Sequence, residues 1–265
     1  MPSKPVVLIT GANSGIGYEA AKALLQSKKA YHVLLGARSR EKGEAATEQL
    51  RKEIFVSPSS TEFVQVDILS NESIREAFQT VEAKYGVALD FVFQNGDDDD
   101  ELRVVRDAFD NSYRTNATGS HVMTHAFAPL LVKSTDPRLL FVTSGLATLA
   151  GTRENGLQPH MRTPNVPAGW PKPSLAKAQG AYRSSKTALN MVMLTWSCLL
   201  EEDGVKARSI TPGFLATGIL GNESMMKDLG AGDPSLGGEF IRDVVEGARG
   251  ADAGRVIHRN GVQEW

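Results

Sequence analysis

Val6-Val7-Leu8-Ile9-Thr10-Gly11-Ala12-Asn13-Ser14-Gly15-Ile16-Gly17 is the stretch on which the fold turns. Four consecutive apolar residues, Val6 to Ile9, read as a strand buried on both faces. Gly11 to Gly17 reads as a turn, and Tyr18 to Gln26 continues as a helix. Glycines between a buried strand and a helix allow a tight turn. They also let the backbone approach a pyrophosphate, which the helix N-terminus stabilises. The spacing differs from the commoner G-x-G-x-x-G fingerprint, because three residues separate Gly11 from Gly15. Gly11, Asn13, Ser14, Gly15, Ile16 and Gly17 are therefore candidate cofactor ligands, against the alternative of a plain Gly-rich turn.

Outward from this stretch, strands and helices alternate. Strands are predicted at 6–9, 32–35, 62–66, 89–93, 139–142, 205–210 and 255–257. Helices are predicted at 18–26, 40–52, 71–84 with Ser70 as a cap, 106–132, from Ala181 through Leu200, and 239–248. Such alternation builds βαβ units, hence a single α/β domain over residues 1–265. It is doubly wound (Rossmann-type), with a mostly parallel seven-stranded sheet and helices on both faces. Asp97 to Asp100 reads as a solvated loop, and 222–238 as a lid made mobile by its glycines. The 265 residues carry 29 basic and 31 acidic side chains, a net charge of −2, so neither nucleic acid nor an anionic membrane is expected as a partner. A single cysteine rules out a disulfide framework. With no signal-like or membrane-length apolar run, a cytoplasmic protein is expected. Cys198 reads as a small core residue, and Met191 and Met193 as packing residues.

Chemistry is suggested by Ala181-Tyr182-Arg183-Ser184-Ser185-Lys186. Four residues apart on a helix, Tyr182 and Lys186 share a face. A cation beside a phenol favours phenolate, so the phenol can exchange a proton with a substrate oxygen. Alone the pair is weak evidence; the Gly-rich turn and Ser144, at the end of the strand Leu140-Phe141-Val142-Thr143, strengthen it. After the second strand comes Ala37-Arg38-Ser39-Arg40-Glu41-Lys42, with no acid before Glu41. An acid there would bind a ribose 2′-hydroxyl, whereas Arg38, assisted by Lys42 and Arg40, suits a 2′-phosphate. Asp67 ends the third strand, as an adenine acceptor or a helix cap. Asn116 and Gly119 interrupt a helical stretch, which points to a kink or a bound water. Pro212-Gly213 ends a later strand at the same edge. His121 and His125 share a helix face but read as structural, and no metal site is expected.

Taken together, Thr10-Gly-x-x-x-Gly15-Ile16-Gly17, Asp67, Asn116, Ser144, Tyr182-x-x-x-Lys186 and Pro212-Gly213 with Thr217 resemble the short-chain dehydrogenase/reductase family over nearly the whole chain. Within it the chain looks most like the NADPH-dependent carbonyl reductases, through Ala37-Arg38 and the long gap between Ser144 and Tyr182 that holds Gly169-Trp170-Pro171. The resemblance implies reduction of a ketone or aldehyde by NADPH, with Tyr182 as proton donor. Ser144 would bond the carbonyl oxygen, Lys186 would lower the tyrosine pKa and hold the ribose, and Asn116 would keep a water. It further implies cofactor contacts from Gly11, Asn13, Ile16, Gly17, Arg38, Asn95, Pro212, Gly213, Leu215 and Thr217. Insertions at about 145–180 and 214–238 would form the substrate pocket. Trp170, Phe214, Leu215, Leu220 and Met225 would favour a hydrophobic small-molecule carbonyl. The chain departs from the family at Gln94-Asn95-Gly96-Asp97, where the usual Asn-Asn-Ala-Gly has become acidic; a carboxylate near the ribose would weaken cofactor binding unless the loop turns it outward. Two rival readings are an NADPH-binding regulatory or scaffold protein and an NADP-linked alcohol oxidation. Monomer and homo-oligomer both stay open.

Overall fold

The computed structural model describes residues 4–85, 101–153, 167–169, 174–217 and 223–265, with only the helical backbone for 101–105 and 174–179. Strands β1 (Val6–Ile9), β2 (His32–Ala37) and β3 (Ser60–Gln65) pair in parallel in the order β1-β2-β3. Strands β4 (Arg138–Val142), β5 (Lys206–Thr211) and β6 (Val256–His258) also pair in parallel, and β7 (Gly261–Gln263) returns antiparallel to β6. The helices are α1 (Gly15–Leu25), α2 (Arg40–Glu53), α3 (Asn71–Tyr85), α4 (Glu101–Tyr113), α5 (Ser120–Leu131), α6 (Leu149–Arg153), α7 (Ser174–Leu199), α8 (Glu223–Asp228) and α9 (Ser235–Val245). Strand 89–93, Asn95 and the Asp97–Asp100 loop lie outside the described residues.

The apolar strand runs are continuous because both sheet faces are covered. Successive side chains alternate between faces. Val7, Ile9, Val33, Leu35, Leu140 and Val142 enter one core layer, shared with α1 and α9. Leu8, Leu34, Leu139 and Phe141 enter the other, against Ile74 of α3, Phe127 of α5 and Met193 of α7. This is the doubly wound α/β arrangement. Among the described residues no helix is long and apolar enough to cross a membrane.

Several expectations are corrected. Helix α1 starts at Gly15 rather than Tyr18: the Tyr18 N–H already bonds the Ser14 carbonyl at 3.3 Å, so the last glycines of the turn belong to the helix. Helix α7 starts at Ser174, not Ala181, because the helix formers Leu175-Ala176-Lys177-Ala178-Gln179 precede Gly180 and carry the helix through it. Met191 is 64% exposed and Cys198 is exposed, since they lie off the buried apolar stripe of α7 that contains Leu189, Met193 and Trp196. A run of apolar residues on a helix is not all core; its period decides. Strand β7 was not foreseen.

The 222–238 segment, expected as a lid, has secondary structure of its own. It contains α8 and the first turn of α9, where Asp233 Oδ1 accepts from the Ser235 N–H at 2.9 Å. Gly238 serves contact rather than motion, because a Cβ there would stand 2.4 Å from the Glu19 carbonyl oxygen of α1. Gly238→Ala should therefore force α1 and α9 apart and lower stability by about 2 kcal/mol, read as a fall in Tm. An unchanged Tm would show that the two helices can slide without loss.

Candidate active site

A parallel sheet brings the carboxyl ends of its strands to one edge, and the turns there form the crevice in which ligands bind. The turn after β1 is tied to β2 by the Ala12 N–H bonding the Gly36 carbonyl at 3.0 Å. Gly11 and Gly15 take φ of 64° and 57°, a left-handed backbone that other residues resist. A Cβ on Gly17 would lie 2.6 Å from the Gly11 carbonyl oxygen, so only glycine fits where the turn folds against the helix. Ser14 is extended and makes no side-chain cap, and the first turn of α1 has no acidic residue. The leading N–H groups of α1 are thus uncapped by side chains and fit a pyrophosphate.

Beyond β2, Arg38 is exposed and its carbonyl accepts from Gln65 at 3.3 Å. Ser39 caps α2 by accepting from the Lys42 N–H at 3.3 Å, and the Lys42 side chain is exposed. Arg40 is exposed as well but is paired with Glu44 at 3.2 Å. After β3, Asp67 Oδ1 accepts from the Leu69 N–H at 3.0 Å, so this carboxylate shapes the turn into α3.

At the end of β4, the Ser144 backbone is extended and its hydroxyl accepts from the Leu146 N–H at 3.1 Å. The turn that follows is held from α7: Arg183 Nε donates to the Leu146 carbonyl at 3.3 Å and Thr187 Oγ1 to the Ala147 carbonyl at 3.2 Å. Tyr182 lies two turns into α7 and its phenol hydrogen-bonds the Ser144 side chain. Burial pushes the phenol above its ordinary range, and the bond with Ser144 works in the opposite sense. Lys186, one turn on, is only 4% exposed. Its Nζ donates to the Val142 carbonyl at 2.8 Å and stands 6.0 Å from the centre of the Tyr182 ring. Burial brings its pKa down to about 8. Desolvation is thus the largest influence on both groups, raising the phenol and lowering the ammonium.

Asn116 sits in a π-helical turn (Arg114–Gly119) between α4 and α5, the kink its sequence context predicts. It is fully buried and donates to Ser185 Oγ at 2.9 Å, and Ser185 in turn donates to the Tyr182 carbonyl at 2.9 Å. Asn116, Ser144, Tyr182 and Lys186 therefore form one connected cluster. After β5, Gly213 has φ of 112°, and Leu215 bridges to Gly232. Thr217 is buried with its N–H on the Leu215 carbonyl at 2.8 Å. A Cβ on Gly237 would lie 2.7 Å from Leu215 Cδ1, 3.2 Å from Pro212 and 3.9 Å from Ile16, so this loop closes against the start of α1. His121 accepts from the Trp196 indole at 3.1 Å, as a packing residue would.

Two residues at the cluster were missed. Arg183 lay inside the Tyr182 stretch but carried no signal of its own. Gln263, whose Nε2 donates to the Ser144 carbonyl at 3.2 Å, sits on the unforeseen β7. The Asn260-Gly261 dipeptide is a turn signal that could have revealed that hairpin.

Residues 5–155 match the short chain dehydrogenase family. The short-chain dehydrogenase/reductase tropE of Talaromyces stipitatus is 42% identical over 264 residues, 98% of this chain and 97% of that protein. The short-chain dehydrogenase/reductase eupG of a Phoma species is 40% identical over 279 residues, 99% and 98% of the two chains. Among solved structures, the NADPH-bound carbonyl reductase from chicken fatty liver superposes with a TM-score of 0.75 at 18% identity, covering 99% of each chain. The carbonyl reductase Sniffer of D. melanogaster does so with a TM-score of 0.72 at 20% identity, covering 99% and 100%.

Proposed function

This chain belongs to the short-chain dehydrogenase/reductase family, and from that premise we propose that it reduces a ketone or aldehyde to an alcohol with NADPH. The observation that carries this reading is the Ser144–Tyr182–Lys186 cluster at the same sheet edge as the uncapped α1 N-terminus. Bound NADPH supplies the hydride to the carbonyl carbon. Everything else falls to side chains. Ser144 orients the carbonyl oxygen by a hydrogen bond, and Tyr182 gives it a proton. A phenol is ordinarily protonated at neutral pH, and burial pushes Tyr182 further that way, so it stands ready to give a proton. Lys186, now on the Val142 carbonyl, would turn its ammonium towards the phenolate and the ribose hydroxyls. Asn116 Oδ1, buried with no donor among the described residues, suits a water that returns the proton through the Ser185 side of the cluster.

In this reading Gly11 to Gly17 hold the pyrophosphate, with Asn13 beside the ribose. Pro212, Gly213, Leu215 and Thr217 would hold the carboxamide, and Asp67 would accept from the adenine amino group. Arg38 and Lys42 take the 2′-phosphate. Absence of any acid between β2 and Glu41 supports NADPH over NADH. A hydrophobic carbonyl compound fits the apolar Phe214 and Leu215 and the exposed Met225 on α8.

Loss of NADPH absorbance against a panel of aromatic and aliphatic carbonyls, with NADH in parallel, tests this. Turnover with NADPH is expected, and Arg38→Asp should lower the NADPH-to-NADH preference about 100-fold, by roughly one lost bidentate phosphate contact. No turnover on any carbonyl would overturn the reductase reading. An unchanged preference in the variant would remove Arg38 from the phosphate.

A further inference from the structure

The proposed reduction depends on where the Ser144 hydroxyl points, and Ser144 lies just where the β4–β5 ladder runs out. The Thr143 N–H still bonds the Ile210 carbonyl of β5 at 2.9 Å. One residue further, the two strand ends are joined by a side chain. Gln263 donates its Nε2–H to the Ser144 carbonyl at 3.2 Å, and its Oε1 accepts from the Thr211 hydroxyl at 3.1 Å. Gly145 fits between them: a Cβ there would meet Thr211 Cγ2 at 3.6 Å and Gln263 Oε1 at 3.9 Å. The brace is itself anchored at both ends. Ile257 pairs with Val262 in the hairpin, and beyond Gln263 the Trp265 carbonyl accepts from the Ala150 N–H of α6 at 2.7 Å.

Given the reductase reading, we infer that Gln263 is a positioning residue: its amide sets the main-chain orientation of Ser144 and so aims the hydroxyl at Tyr182 and the substrate oxygen. Arg183 and Thr187 fix the next two carbonyls of this turn, Leu146 and Ala147, from α7. Gln263 fixes the carbonyl of Ser144 itself from the opposite element. The task needs a donor and an acceptor on one planar group. An ionised glutamate has no donor and would set an oxygen against the Ser144 carbonyl. A methionine keeps the length and loses both bonds.

Gln263→Met should lower kcat about tenfold, because a small misplacement of a reacting group is strongly felt, while the NADPH Kd stays as in the parent. In a Ser144→Ala background the same substitution should add no more than about twofold, since its effect passes through Ser144. Gln263→Glu should be impaired at neutral pH and recover relative to the parent as acid protonates the carboxyl and restores a donor. Parent-like kcat in Gln263→Met, or an equal loss with and without the Ser144 hydroxyl, would overturn the inference. A crystal structure of Gln263→Met decides it without turnover. Ser144 displaced supports the brace even if no carbonyl is reduced and the reductase reading falls, and Ser144 in its parent position overturns the brace even if that reading stands.

Discussion

If the proposed reduction holds, Tyr182→Phe should yield a protein that still binds NADPH within a few-fold of the parent but reduces a carbonyl about 1,000-fold more slowly, the typical contribution of a positioned proton donor. The substitution removes one oxygen and leaves the ring in place, so α7 and its packing are unaffected. What disappears is the proton, at the point where negative charge gathers on the substrate oxygen. In the proposed reading NADPH would be held by the α1 N-terminus and the basic turn after β2, elements of the other half of the sheet edge. The separation of kcat from Kd is therefore the signature to measure: single-turnover absorbance for the first, fluorescence titration for the second. Burial raises the pKa of this phenol, so the loss should persist across neutral pH without a crossover. Turnover within tenfold of the parent would remove Tyr182 from proton transfer and pass the role to another donor at the Ser144 turn.

Much of this site was readable in the chain because its chemistry is local. Val6–Ile9 followed by spaced glycines, and Tyr182 four residues from Lys186, each state a geometry within one element. The end of β4 at Ser144 follows from a single apolar run. Asn116 was legible for the same reason, since an Asn and a Gly within one helical stretch already announce a distorted turn. Where the reading failed, the deciding contact came from far away in sequence. Gly237 and Gly238 look like flexibility until α1 and Leu215 are seen against them. Met191 and Cys198 look like core until the buried stripe of α7 is fixed by its partners. Gln263 has no meaning without the hairpin that carries it 119 positions back to Ser144. The burial of both groups also escaped, because a Tyr–Lys spacing reveals proximity but not desolvation.

That desolvation sets up the second large effect. Lys186→Met should lower turnover by about 100-fold or more, since in the proposed mechanism it removes the cation that would face the developing phenolate, and should also make the protein more stable. Burial holds Lys186 at about 8 instead of 10.5, which penalises its charged form by on the order of 3 kcal/mol at neutral pH. Its bond to the Val142 carbonyl returns part of this, and losing that bond costs roughly 1–2 kcal/mol. Methionine matches the length of the lysine stem and is at home in an apolar site. The balance favours the variant by about 1–2 kcal/mol, or about 4 °C in Tm. The sign of the pH dependence separates this from ordinary repacking. An unfolded lysine keeps its proton up to its ordinary 10.5, whereas the folded one releases it near 8. Between those values the unfolded state binds more protons, so parent stability rises with pH. The advantage of Lys186→Met should therefore be full below pH 8 and fade as the pH climbs towards 10.5. Thermal unfolding of both proteins across that range measures it. A variant less stable at pH 7, with a gap that does not change with pH, would mean that the ammonium is well compensated in its site. In that case it stabilises the fold, and no stability has been given up to keep a charge beside Tyr182.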